Sequence, residues 1–162
     1  MNTVLSRAQI DDAIALATAS LARFQGVRGR YNNTFNSHVV GRFGEIAIES
    51  LFASAGHSVV PHFRDLASLQ LCDVEVLAFV PYPRLEVKTW DLSNWADLGR
   101  CIHTGQIAKI QNTADAIVWC TVPLPYLRSA DDLANHESLV VEVVGFSLPS
   151  DVLIAPIKLT GR

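Results

Sequence analysis

The sequence predicts an α/β protein, a mixed central sheet flanked by helices, and three observations predict it. Residues 5–25 and 39–55 repeat apolar side chains at helical spacing. Short segments at 58–63, 70–80, 85–90, 116–122 and 139–146 are rich in valine, isoleucine and aromatic residues, as strands are. A helix-compatible stretch at 104–113 separates the 85–90 segment from the 116–122 segment, which makes a crossover connection between them.

The elements follow in order. Ile10, Ile14, Ala17 and Leu21 give the first helix its apolar stripe, with Ser6 or Asp11 near its start. Residues 26–38 change to glycine, asparagine and arginine and read as a loop. The second helix carries Phe43, Ile46, Ala47, Leu51 and Phe52, and Gly56 ends it. Two strands then flank Pro81 and Pro83, a pattern that reads as a hairpin. Residues 91–102 are polar and turn-like, 104–113 form a short helix, and 123–138 are an excursion before the last strand. Residues 1–162 read as one domain, with 1–38 a helix-and-loop extension and 39–122 the core region.

Composition narrows the function. The chain has 162 residues, 49% of them hydrophobic, enough for a substantial core. Its 13 Lys and Arg against 16 Asp and Glu leave a formal charge of -3, unlike a protein that coats nucleic acid nonspecifically. Cys72, Cys101 and Cys120 lie far apart, so neither a zinc module nor a disulfide framework is expected, and a reducing, cytoplasmic location is. No signal peptide or membrane span is expected either.

Chemistry concentrates in Arg84-Leu85-Glu86-Val87-Lys88-Thr89, with Asp73 thirteen residues before Glu86. Side chains alternate across a strand. Asp73 and Glu75 therefore share a face, as do Glu86 and Lys88, and pairing of the two strands would let Asp73, Glu86 and Lys88 converge at one sheet edge. Magnesium takes hard oxygen ligands. Asp73 and Glu86 can supply carboxylates, and the Val87 carbonyl a third oxygen. Lys88 would orient or deprotonate an attacking water, or stabilise developing charge. Glu45 and Glu49 share a face of the second helix; Glu45 is the candidate third acid, and Glu49 reads as solvated. Gln106 and Lys109, three apart on the short helix, are candidates to position substrate, and Arg28, Arg30 and Arg42 to meet a phosphate backbone. Trp90 and Trp95 are candidates to stack on bases, whereas Trp119 reads as core.

Glu45 on a helix, Asp73 on the second strand and Glu86-Val87-Lys88 on the third resemble the PD-(D/E)XK nuclease superfamily. Cys72 stands where that motif has proline. The resemblance covers roughly residues 39–122 and implies a restriction-endonuclease-like αβββαβ core. It further implies a magnesium-dependent DNA endonuclease, with manganese as a substitute metal, 5'-phosphate products and a homodimer. In such enzymes the aspartate and glutamate, here Asp73 and Glu86, hold the metal. The lysine, here Lys88, assists the nucleophile, and Glu45 completes the site. The alternative is a nonenzymatic nucleic-acid-binding or assembly subunit of the same fold.

Overall fold

A computed structural model describes residues 1–24, 34–65 and 71–154. Along the chain the elements are β1 (Asn2–Ser6), α1 (Arg7–Phe24), α2 (Phe35–Ser54), β2 (Val59–Val60), β3 (Val74–Val76) and β4 (Arg84–Asp91). There follow α3 (Leu92–Leu98), α4 (Ile107–Thr113), β5 (Ala116–Val122), β6 (Ser138–Ser147) and α5 (Asp151–Ile154). The strands form a mixed sheet in the order β1-β6-β5-β4-β3-β2. β4 and β5 run parallel, joined by the expected crossover, and the other neighbours are antiparallel.

Helices cover both faces. Ala116, Val118, Cys120 and Val122 of β5 join Leu85 and Val87 of β4 in one core with α1 and α2. The alternate β5 residues Ile117 and Trp119 form a second core with Ile110 of α4 and Ala114. Strand alternation thus assigns Leu85 and Val87 to the α2 face, and Glu86 and Lys88 to the α4 face. Trp119 is buried as expected, its indole N–H donating to Ser147 Oγ at 2.9 Å.

Several boundaries differ from expectation. Leu5 and Ser6 belong to β1, not to a helix, because β1 finds a partner in β6, with Val4 opposite Val140. α2 starts at Phe35 instead of residue 39, since Thr34 and Ser37 cap it reciprocally. It ends as expected: Gly56, at φ +85°, takes the left-handed conformation that lets its N–H reach Ala53 O and the His57 N–H reach Phe52 O. Residues 92–98, expected as a turn, form α3, capped by Asp91. The strand expected over 70–80 reduces to Val74–Val76, and the one over 58–63 to two residues followed by a 3-10 turn at His62–Arg64. The expected hairpin of β3 and β4 is present, with Val74 opposite Leu85 and Glu75 opposite Arg84.

Candidate active site

The shortness of β3 makes the site. Its ladder with β4 pairs Val74 and Glu75, and Asp73 N then donates to Leu85 O at 3.0 Å. One step further, the Val87 N–H meets the Asp73 carboxylate instead of a backbone carbonyl, at 2.8 Å. The N–H and C=O of one strand residue point to the same edge, so the Val87 carbonyl faces this opening too. Register places Asp73 across from Glu86.

Glu86 is buried at 2% exposure, an unusual fate for a carboxylate without partners. It has two: Lys88 Nζ at 2.7 Å from Oε1 and Lys109 Nζ at 3.4 Å from Oε2. Lys109, expected to touch substrate, therefore reaches inward from α4, whose Ile110 is anchored in the second core. Burial alone would raise the Glu86 pKa, but Lys88 and Lys109 overcome it and hold the carboxyl below its ordinary value. The opposite holds for Asp73, which burial and then the Glu86 charge push up to about 6 despite both lysines. Lys88 is raised: burial works against its charge, and Glu86, Asp73 and Glu45 outweigh burial.

Glu45 approaches from α2, and Gly44 permits the approach. A side chain at Gly44 would collide with Thr89 of β4, so the helix lies close on the strand. Burial is the main cause that lifts the Glu45 pKa, to about 8; Arg42 opposes this and Asp73 adds to it. Arg42, expected on substrate, is turned inward. Its Nη1 donates to Glu45 Oε2 and to Phe63 O, and the two side chains are 11% and 12% exposed. Glu49, read as solvated, instead pairs with Arg64, which also holds Asp12 of α1.

The structure thus brings Asp73 to the backbone of Val87, and Glu86, Lys88 and Lys109 to one another, with Glu45 within electrostatic reach of Asp73 and Lys88. Gln106 is exposed where α4 begins and is not drawn into this cluster by any contact described. Arg28 and Arg30 lie outside the described residues. Trp95 packs against the second core, and the buried Trp90 indole N–H has no hydrogen-bond partner among the described residues. Among those residues, no three His, Cys, Asp or Glu side chains stand close enough to hold a metal ion. No described helix is long and apolar enough to cross a membrane.

Sequence reasoning missed the inward role of Arg42 and the Lys109–Glu86 pair. The signal for Arg42 was its spacing: three residues before Glu45, it shares that helix face. Compared with known proteins, the chain matches no family model, no curated protein and no solved structure.

Proposed function

We propose that this protein is a magnesium-dependent DNA endonuclease with a restriction-endonuclease-like core, acting as a homodimer in which each copy cuts one strand. The observation that carries the reading is the Asp73 carboxylate on the Val87 amide, across the hairpin from Glu86 with its two lysines. A structural ion pair needs one acid and one base. Here two acids that repel one another are gathered at the open edge of a strand, with a third, Glu45, approaching from α2.

The donor set fits magnesium. That ion keeps several of its waters and is held by one or two carboxylates, so a three-residue cage is not required. Asp73 and Glu86 would hold it with the Val87 carbonyl, and Glu45 would act directly or through water. When bound, magnesium supplies charge neutralisation at the scissile phosphate and acidifies a water.

The chain's own residues do the rest. Lys88 is kept protonated by the acids around it, which suits it to orient the attacking water and stabilise charge at the phosphate better than to accept a proton. Lys109 shares Glu86 with Lys88 and adds a second cation beside the phosphate. With a formal charge of -3, DNA affinity would come from these local cations and the metal, not from the protein as a whole.

Manganese binding followed by electron paramagnetic resonance tests the reading. The wild type binds the ion and both Asp73→Ala and Glu86→Ala lose it. A folded wild type that takes up no manganese would favour the nonenzymatic alternative.

A further inference from the structure

We infer that Arg42 is a positioning residue that sets the acid of α2 against the acid of the β3 end, an inference that rests on the nuclease reading above. The same nitrogen, Nη1, donates to Glu45 Oε2 and to Phe63 O at 3.1 Å. Phe63 in turn donates its backbone N–H to Asp73 O at 3.1 Å. A path therefore runs from the Glu45 carboxylate through the Arg42 guanidinium and the backbone of one residue, Phe63, to the Asp73 carbonyl.

The connecting turn is itself held firmly. The Phe63 ring is buried, with the Arg42 guanidinium 5.7 Å and the Arg64 guanidinium 5.0 Å from its centroid. Arg64 binds Glu49 on α2 at 2.6 Å and Asp12 on α1 at 2.6 Å. The His62–Arg64 turn is thus pinned to both helices, and Arg42 is the link from it to a candidate acid. Glu45 gains a fixed direction from a donor that is 9% exposed and is itself fixed by the Phe63 carbonyl. Partners that orient ligands without touching the ion commonly matter for metal affinity.

Electrostatics and positioning make opposite forecasts. Removing a positive charge beside the acids strengthens their attraction for a cation. Loss of positioning weakens it. The direction of the change therefore distinguishes the two, and a merely structural role would lower the melting temperature while leaving affinity unmoved.

The experiment measures manganese affinity of the full chain below its melting temperature, for wild type, Arg42→Met and Arg42→Lys, with and without added guanidinium ion. Circular dichroism checks folding, and amide hydrogen exchange at Phe63 and Asp73 reports on the turn. The expected result is a weakening of roughly 10–100-fold in Arg42→Met, partial recovery with guanidinium, and faster exchange at Phe63. Arg42→Lys keeps the charge with a shorter reach and falls between, which provides the test should Arg42→Met not fold. Wild-type binding with unchanged or tighter binding in a folded Arg42 variant overturns the inference and leaves the nuclease reading standing. Absence of binding by the wild type overturns both.

Discussion

Burying acids beside one another should destabilise the folded chain, and Asp73 gives a way to measure that. Burial, and after it the charge of Glu86, push its pKa from 3.8 up to about 6. Between those values the folded state holds a proton that the unfolded chain has released. Stability therefore falls as pH rises through this window, and the whole loss is present above about pH 6. At about 1.4 kcal/mol per tenfold change in acidity, the rise corresponds to about 3 kcal/mol. Water reaching the half-buried carboxylate screens part of this, leaving about 1–2 kcal/mol. Asparagine keeps an oxygen for the Val87 N–H and carries no charge. Asp73→Asn should therefore melt about 2–8 °C above wild type at about pH 8 in EDTA. At about pH 4, near the unfolded pKa, the two should melt together. Calorimetry across that range measures both. A variant less stable than wild type at the higher pH, or a gain that does not vary with pH, would refute the reasoning.

Three further outcomes follow from the same structure. Gly44→Ala should cost about 1–3 kcal/mol in urea unfolding, because the new methyl meets the Thr89 side chain, and Gly44→Ala with Thr89→Ala should recover most of it. Asp91 is 1% exposed and accepts hydrogen bonds from Ser93, Asn94 and Asn36, tying β4 to α2 and α3. Asp91→Ala should cost about 2–4 kcal/mol by denaturant titration. Burial opposes the Asp91 charge, but these hydrogen bonds prevail and lower its pKa; its contribution is present above the unfolded pKa and is lost as pH falls through the folded one. Manganese affinity should rise with pH through about 6, because Asp73 must release its proton to bind, and calorimetry at several pH values should detect that proton.

How much of this was legible in the sequence depended on whether the signal was local. Alternation in Arg84–Asp91 and the proline-marked turn placed Asp73, Glu86 and Lys88 correctly on a hairpin, because period and turn chemistry act over a few residues. The ends of β5 are legible for the same reason, since residues 117–122 are dominated by β-branched and aromatic side chains. β1 was not legible, because its five residues become a strand by pairing with β6 across nearly the whole chain. α3 was hidden by the polar Ser93 and Asn94, whose groups satisfy the Asp91 cap. At the site, composition named the acids but not their partners. An arginine on a helix faces water as readily as a carboxylate, and it took the Phe63 carbonyl, brought in by the turn at 62–64, to turn Arg42 inward.

The most direct measurement is cleavage of a panel of supercoiled plasmid, linear duplex, single strand and four-way junction. Wild type and Lys88→Ala would be incubated with magnesium or manganese, and again in EDTA. The nuclease account predicts cutting of at least one substrate by wild type with metal, none in EDTA, and none by Lys88→Ala. Cutting that persists in Lys88→Ala or in EDTA would contradict it, as would intact substrates throughout from a folded wild type that binds no metal.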